Sequence, residues 1–327
     1  MAAPSRESLA RIAGETGHPP ATLEKVLRLL DLLDEIARDD ALHGRFALKG
    51  GTALNLFHLE LERLSVDIDL NYVGAYDRAT MLAERPILEA ALARLLASLG
   101  YEVRRRPEEH AGGKWIARYA SALGGSGAIE VDINYMMREP LFGLERKDSV
   151  TLGGARARGI MVVDRHEIVA GKLVALLSRR AARDLFDARR IFDIPDLDWR
   201  WIKAAMLGFG AASRADWRRV AVDSVGADPG ELRDKLLICL PRERFAAHGS
   251  AEAWITETAA HCRARLAPLL EMSASEEGFL DGVIDRGDVD ATLLDVDPDI
   301  QARIGRMPML LWKAEHVRQR ASGGGRG

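Results

Sequence analysis

Two aspartates occupy alternate positions of a short apolar run that covers residues 65–70. This alternation has the period of two of a β-strand, which places Asp67 and Asp69 on one face and the apolar residues on the other. Carboxylates this close repel each other unless a cation lies between them, and their hard oxygens suit Mg²⁺, which also binds phosphate. The pair therefore predicts magnesium-dependent phosphate chemistry, although an isolated pair of this kind is also typical of a solvated strand face.

Two glycines and a threonine precede this strand, at Gly50, Gly51 and Thr52. Adjacent glycines allow a tight turn and a close approach of the backbone to a ligand. We expect Thr52 to cap a helix that begins at Ala53, so that free backbone N–H groups face the turn and bind phosphate. This short sequence alone usually marks only a turn, and its position just before the aspartate pair favours a nucleotide site.

A third carboxylate is predicted on another strand, over residues 128–135, where Glu130 and Asp132 alternate with apolar residues. A two-metal phosphoryl-transfer site uses a third carboxylate to help hold the metal that activates the attacking hydroxyl. Asp132 is a better candidate than Glu130, because it is central in the strand and flanked by apolar residues. The alternative is an exposed acidic strand face.

A lysine and two aspartates lie in predicted helices farther along the chain. The helix over 165–180 follows an N-cap aspartate with a glutamate three positions later, and it contains Lys172. The ammonium of Lys172 is either solvated on the helix surface or reaches nucleotide phosphates as a point charge. Asp184 and Asp187 lie one turn apart in the next helical segment, where pairing with neighbouring arginines is the alternative to a functional role.

The periodicity of apolar residues predicts the elements around these side chains. Strands are predicted over 46–49, 66–70, 101–103, 114–120, 128–135 and 159–163, with a hairpin turn at 124–127. Helices are predicted over 21–38, 78–99, 165–180, 199–207, 229–240, 251–270 and 275–285. We therefore expect a loose segment over 1–20, a mixed α/β domain over 21–195, a helical domain over 196–320 and a disordered tail over 321–327.

The composition is that of a soluble globular protein, with 327 residues, 47% of them hydrophobic, and a formal net charge of -3. This balance argues against a protein that coats nucleic acid, but it allows a local basic groove. The two cysteines, Cys239 and Cys262, form no metal-binding motif. The sequence shows no signal peptide and no apolar run that spans a bilayer, so we expect a cytoplasmic protein without a membrane partner.

Four segments, in this order, resemble the AbiEii type of nucleotidyltransferase toxins, a family that includes the MenT toxins of mycobacteria. The segments are 49–56, 63–70, 167–177 and 183–187. The resemblance implies an α+β, polymerase-β-like nucleotidyltransferase fold, in which a mixed β-sheet with flanking helices is followed by an all-helical C-terminal region. It also implies a toxin of bacterial toxin–antitoxin and phage-defence operons, with a cognate antitoxin encoded nearby.

The resemblance further implies a reaction. Some members transfer nucleotides, with a pyrimidine preference, from an NTP to the 3′ acceptor end of tRNA, which blocks aminoacylation. By position, Asp67 and Asp69 match the metal carboxylates, and Lys172 and Asp184 match a lysine and an aspartate needed for activity. Ser65 lies where some members are phosphorylated, and a phosphate there would repel an incoming triphosphate.

The sequence thus predicts Mg²⁺-dependent transfer of a nucleoside monophosphate to tRNA, with release of pyrophosphate. The predicted catalytic residues are Asp67, Asp69, Asp132, Lys172 and Asp184, of which the first three are the predicted metal ligands. The predicted nucleotide-binding residues are Gly50, Gly51, Thr52, Ser65 and Lys172. Candidate contacts to RNA phosphates are Arg104, Arg105, Arg106, Arg138, Arg146, Lys147, Arg179, Arg180, Arg189 and Arg190. The alternatives are transfer to a protein or a small molecule, and a nucleotide-binding toxin that acts by sequestration.

Overall fold

The computed structural model describes residues 4–107, 112–242 and 250–323, which form two compact units. The first unit comprises Met1–Arg138, Gly143–Asp164 and Leu236–Ala247. The second comprises Glu139–Phe142, Arg165–Lys235 and His248–Gly327. In the part of the chain that the structure describes, no helix is long and apolar enough to cross a membrane.

A seven-stranded mixed sheet forms the centre of the first unit. Its strands are β1 Phe46–Lys49, β2 Asp67–Tyr72, β3 Glu102–Pro107, β4 Gly112–Ala120, β5 Ser126–Asn134, β6 Leu144–Lys147 and β7 Ile160–Val163. Their order across the sheet is β3-β4-β5-β2-β1-β7-β6. Strand β2 pairs in parallel with β5 and antiparallel with β1, so the strand that carries the aspartate pair lies at the centre.

One face of this sheet is apolar, as the alternation in the sequence predicts. Ile68 on β2 and its register partner Val131 on β5 are both fully buried. On the same face Arg105 forms an ion pair with Glu89, a residue of the helix Arg78–Ser98. The acidic residues of β2 and β5 therefore project from the opposite face.

The helices of the first unit are α1 Arg6–Thr16, α2 Pro20–Arg38, α3 Gly50–Ala53 and α4 Arg78–Ser98, and a π-helical turn follows α3 at Leu54–His58. Helix α4 begins where the sequence predicts, because the Asp77 side chain accepts a hydrogen bond from the backbone N–H of Thr80. Helix α2 buries its leucine stripe, including Leu23, Leu30 and Leu33.

Helices α5 to α12 form the second unit. They are α5 Arg165–Ser178, α6 Ala182–Ile191, α7 Trp199–Ala212, α8 Pro229–Glu231, α9 Ala251–Leu270, α10 Ala274–Asp281, α11 Pro298–Gly305 and α12 Pro308–Gly323. Short 3₁₀ or π turns lie at Trp217–Arg219, Val222–Ser224, Leu232–Leu236, Gly282–Arg286 and Ala291–Leu293, and the turn Leu237–Cys239 belongs to the first unit.

The predicted α+β class is confirmed, and three local expectations differ from the structure. Residues 6–16 form a helix where a loose segment is expected, because Ser5 caps it and Leu9 and Ile12 are buried. The long helix expected over 229–240 is broken into short turns, and the carbonyl of Cys239 instead accepts a hydrogen bond from Leu64 N–H. Helix α12 continues to Gly323, and residues 324–327 of the expected tail lie outside the described residues.

The compact units and the predicted domains divide the chain at different places. The division into compact units falls at Asp164, whereas the sequence suggests a boundary near residue 195. Helices α5 and α6 belong to the second unit because α5 packs against α7 and α6 packs against α9, and Lys172 of α5 also pairs with Asp184 and Asp187 of α6. The functional domain limits drawn from the sequence therefore stay a prediction.

Candidate active site

The glycine turn connects β1 to α3 and lies directly against the aspartate strand. Gly50 has a φ of +71°, a left-handed conformation that favours glycine. A Cβ atom at this position would lie 2.3 Å from Asp69 Oδ2. Glycine is thus needed at residue 50 both for the backbone turn and for the space that the Asp69 carboxylate occupies.

Thr52 has a different role from the expected helix cap. The helix begins at Gly50, three residues before Ala53, where a cap at Thr52 would place its start. The Thr52 side chain is fully buried, and its hydroxyl donates a hydrogen bond of 2.5 Å to the carbonyl of Asp67. Thr52 therefore fastens the turn to the first residue of β2, and its assignment as a phosphate ligand stays a prediction.

The three predicted metal ligands lie on one face of adjacent strands. In the parallel β2–β5 pair, Asp69 is the register partner of Asp132 and Asp67 is the partner of Glu130. Partners in a strand pair project to the same side of the sheet, so four carboxylates share this face. The structure therefore brings Asp132 beside Asp67 and Asp69, although Asp132 lies on a different strand and more than 60 residues later in the sequence.

Two lysines lie beside these carboxylates. Lys25 Nζ, from α2, is 3.7 Å from Asp67 Oδ1. Lys114 Nζ, from β4, is 3.1 Å from Glu130 Oε2 and 3.9 Å from Asp132 Oδ2. The hydrogen bond to Glu130 raises the pKa of Lys114 above its ordinary value, and the charges of Asp132 and Asp67 raise it further against the opposing effect of burial. The carboxylate face is therefore negatively charged, and the ammonium groups of Lys25 and Lys114 partly neutralise this charge.

The donor set suits Mg²⁺ in its chemistry. Within residues 4–107, 112–242 and 250–323, no group of three or more His, Cys, Asp or Glu side chains has the arrangement of a metal site. The carboxylates of Asp67 and Asp132 are nevertheless hard oxygen donors that already have ammonium groups as neighbours. A cation at this face would meet donors of the type that Mg²⁺ prefers.

Ser65 lies two residues before Asp67 and is 5% exposed. Phosphorylation of a side chain this buried would need the segment before β2 to move. Arg63 in the same segment is also buried, and one of its guanidinium nitrogens donates a 3.0 Å hydrogen bond to the carbonyl of Leu64. The predicted roles of Ser65 in nucleotide binding and in neutralisation are therefore not visible in this conformation, and they stay predictions.

Lys172 and Asp184 meet in the second unit, in a buried cluster with Asp187. Lys172 Nζ is 3.2 Å from Asp184 Oδ1 and 2.8 Å from Asp187 Oδ2. Arg179 Nε lies 2.6 Å from the other Asp184 oxygen. Burial acts to raise the pKa of Asp184, but the charges of Lys172 and Arg179 outweigh it and hold the pKa below its ordinary value. Lys172 is therefore a buried, paired lysine and not a solvated helix residue.

Two residues of these clusters are absent from the sequence-based assignment. Asp187 makes the shorter contact to Lys172, yet its spacing from Asp184 alone gives no reason to prefer either residue. Lys114 lies opposite Asp132 in the β4–β5 hairpin. The turn predicted at 124–127 is a signal for this pairing, because the turn of a hairpin fixes which residues lie opposite each other.

Comparisons with known proteins identify the family of this chain and a similar fold. The family model of the nucleotidyl transferase AbiEii toxin of type IV toxin–antitoxin systems matches residues 31–276. Among solved structures, the fold is similar to that of MenT4, a nucleotidyltransferase toxin from Mycobacterium tuberculosis, with a TM-score of 0.56 and 19% sequence identity. That match covers 94% of this chain and 99% of the other. A search of curated proteins gave no match.

The family match covers most of the chain and includes both clusters. It contains the glycine turn, the aspartate strand β2, Asp132, and the Lys172 cluster of α5 and α6. The structural similarity independently supports the fold. This chain therefore belongs to the AbiEii family of nucleotidyltransferase toxins.

Proposed function

We propose that this protein transfers a nucleoside monophosphate from an NTP to the 3′ end of tRNA in a Mg²⁺-dependent reaction, and so blocks translation. The observation that carries the proposal is the β2–β5 register, which places Asp69 beside Asp132 on the face that also holds Asp67. The turn at Gly50 lies against the same carboxylates, so a nucleotide bound there would have its phosphates next to them.

In this mechanism Asp67, Asp69 and Asp132 would hold Mg²⁺, which would neutralise the charge of the triphosphate and favour ionisation of the acceptor hydroxyl. The 3′ oxygen forms a bond to the α-phosphorus while the bond to pyrophosphate breaks, and the hydroxyl proton passes to the Asp132 carboxylate and from there to solvent. The backbone N–H groups of Gly50 and Gly51 bind phosphate oxygens. Positioning and charge neutralisation supply most of the catalysis in such reactions.

The predicted phosphate-binding residue Lys172 lies in the buried cluster of the second unit. Two carboxylates, from Asp184 and Asp187, hold the Lys172 ammonium in one position. We propose that Lys172 exchanges one of these contacts for a phosphate oxygen when nucleotide is bound, while Asp184 remains paired with Arg179. Membership in a toxin family also implies a cognate antitoxin, and the proposed substrates imply action in the cytoplasm.

The test is a labelling assay on the purified protein. It is incubated with Mg²⁺, total tRNA and each α-labelled NTP in turn, and the products are separated on a denaturing gel. We expect label on tRNA with one or two of the NTPs, and none with the double variant Asp67→Ala/Asp69→Ala. The control is Asp40→Ala, which removes an exposed carboxylate outside the site and should label tRNA as the wild type does.

Other results would redirect the proposal. Label on a protein band or a small molecule, with none on tRNA, would overturn the tRNA acceptor while keeping nucleotidyl transfer. Full transfer by the Asp67/Asp69 double variant would overturn the site itself. Absence of any label, together with toxicity that persists in the double variant, would favour a toxin that acts by sequestration.

A further inference from the structure

Arg104 and Arg105, two consecutive residues of the edge strand β3, project from opposite faces of the sheet. Arg105 lies opposite Trp115, with its guanidinium 5.4 Å from the centre of the Trp115 ring. Its NH2 group is 2.7 Å from Glu89 of α4. Arg105 therefore has a structural role on the covered face. Since successive side chains alternate, Arg104 projects from the other face.

The strand register connects Arg104 to the carboxylates. Arg104 is the partner of Ile116 on β4, and Ile116 is the partner of Glu130 on β5, which in turn pairs with Asp67. Residues two apart on a strand share a face, so Lys114 and Arg118 project from the same side as Ile116. Three basic side chains thus lie on the carboxylate face: Lys114 opposite Asp132, Arg104 on the edge strand, and Arg118 four residues along β4 from Lys114, a distance of about 13 Å.

These basic residues differ in whether they already have acidic partners. Lys114 is paired with Glu130. Arg104 and Arg118 are exposed, and neither forms an ion pair with any residue that the structure describes. One acidic residue, Glu102, lies opposite Arg118 in the register without an ion pair in the described part of the chain. Two exposed guanidinium groups on the same face as the acidic centre suit a polyanion that extends away from that centre.

We propose that Arg104 and Arg118 bind backbone phosphates of the acceptor RNA, in the nucleotides that precede its 3′ end. The inference rests on the proposed function, in which the terminal hydroxyl lies at Asp132. Adjacent strands are about 4.8 Å apart, so β3, which carries Arg104, lies about 10 Å from β5, which carries Asp132. The RNA backbone would cover this distance as it extends from the reacting hydroxyl toward the edge of the sheet. Because guanidinium–phosphate contacts read no base, this binding is independent of sequence.

The experiment compares a double variant with a matched control. The double variant Arg104→Gln/Arg118→Gln removes both charges. The control is the single variant Arg94→Gln, because a second substitution at Arg78 would disturb the first residue of α4. Arg94 is exposed on α4, whose residue Glu89 contacts the opposite face of the sheet. Binding of 5′-fluorescein-labelled tRNA is measured by anisotropy between 50 and 200 mM salt, conditions over which counterion release is resolved.

We expect the dissociation constant for tRNA to rise about tenfold in the double variant. The slope of log K against log salt should become shallower by about 1.4, since each contact to a single strand contributes about 0.7. Arg94→Gln should leave both quantities at the wild-type value. The Michaelis constant for the NTP should be unchanged in all variants, because neither arginine lies at the glycine turn. The melting temperature should also be unchanged, because all the substituted side chains are exposed.

Failure of this inference is distinguishable from failure of the proposed function. If the wild type labels tRNA but the double variant keeps the wild-type affinity and salt slope, the phosphate contacts are wrong and the function stands. An equal weakening by Arg94→Gln would also overturn the inference, because it would show a general charge effect. If the wild type neither labels nor binds tRNA, both proposals fall.

Discussion

Asp69 and Asp132 are register partners on adjacent parallel strands, β2 and β5, so their carboxylates lie side by side on one face of the sheet. The neighbouring pair, Asp67 and Glu130, differs in that Lys114 donates a 3.1 Å hydrogen bond to Glu130. The same ammonium is 3.9 Å from Asp132, which is beyond hydrogen-bond distance. Lys114 therefore contacts Glu130 more closely than Asp132, and we expect the two carboxylates to differ in how a substitution affects the reaction.

This difference predicts unequal effects of two conservative changes. Asp132→Asn removes a proposed metal ligand and should lower the rate of transfer to tRNA about 100-fold or more. Glu130→Gln removes only an exposed ion pair, which is worth at most about 1 kcal/mol, so the rate should stay within about fivefold of the wild type. Initial rates with labelled NTP and tRNA measure both. Equal losses in the two variants would contradict the assignment of Asp132.

The conformation of Gly50 predicts a strong effect of alanine at this position. Gly50→Ala places a Cβ in a left-handed conformation, which costs about 1–2 kcal/mol, and 2.3 Å from Asp69 Oδ2. The Asp69 carboxylate must then move, so transfer should be lost as well as stability. Urea unfolding gives the free energy of unfolding, and the labelling assay gives the activity.

Gly44 provides the matched control for this change. Its φ is +70°, but a Cβ there would meet no atom within 4 Å. Gly44→Ala should therefore lower the free energy of unfolding by about 1 kcal/mol through the backbone alone, with transfer unaffected. Retention of transfer by Gly50→Ala would show that the position of Asp69 tolerates displacement, and the turn would lose its proposed role.

The position of Lys114 beside the carboxylates predicts that its substitution changes the affinity for Mn²⁺, which can be measured without catalysis. Removing its ammonium in Lys114→Met leaves Glu130 and Asp132 with more negative potential, so Mn²⁺ should bind about three- to tenfold more tightly. The ion pair of Lys147 and Glu145 has the same length, 3.1 Å, and lies on β6. Lys147→Met is thus the control, and its Mn²⁺ affinity should equal that of the wild type. Electron paramagnetic resonance of free Mn²⁺ reports the binding, and weaker binding in Lys114→Met would contradict the prediction.

The Asp184 cluster predicts a specific dependence of stability on pH. The pKa of the Asp184 carboxyl in the folded protein is below the ordinary value of 3.8. The ion pairs of Asp184 therefore stabilise the fold at pH values above 3.8. The stabilisation is lost as the pH falls through the lowered pKa. Asp184→Asn should cost about 3 kcal/mol at pH 6, because it leaves Lys172 with one fewer partner in a buried site. Urea unfolding at pH 6, 4 and 3 should show this difference shrinking on acidification, and a constant difference would contradict the linkage.

Several features follow from the sequence alone, because they depend on local periodicity. The alternation around Ile68 fixes a strand with its acidic residues on one side, and the strand β1 and the helix Ala251–Leu270 are found with the predicted limits. The resemblance of four short segments, at 49–56, 63–70, 167–177 and 183–187, also indicated the nucleotidyltransferase toxin family, which the comparison confirms. These signals are carried by neighbours in the chain, so no tertiary information is needed to detect them.

Tertiary structure alone decides which distant residues meet. Nothing local indicates that β5 lies beside β2, because that pairing joins residues far apart in sequence and is fixed by burial of Ile68 against Val131 and their neighbours. The sequence around Thr52 is typical of a helix cap, but in the structure its hydroxyl donates a hydrogen bond to the carbonyl of Asp67. The sequence alone is compatible with a solvated Lys172, whereas in the structure its ammonium forms an ion pair with Asp187 of α6. The sequence thus determines which groups each element carries, and non-local packing determines which of those groups act together.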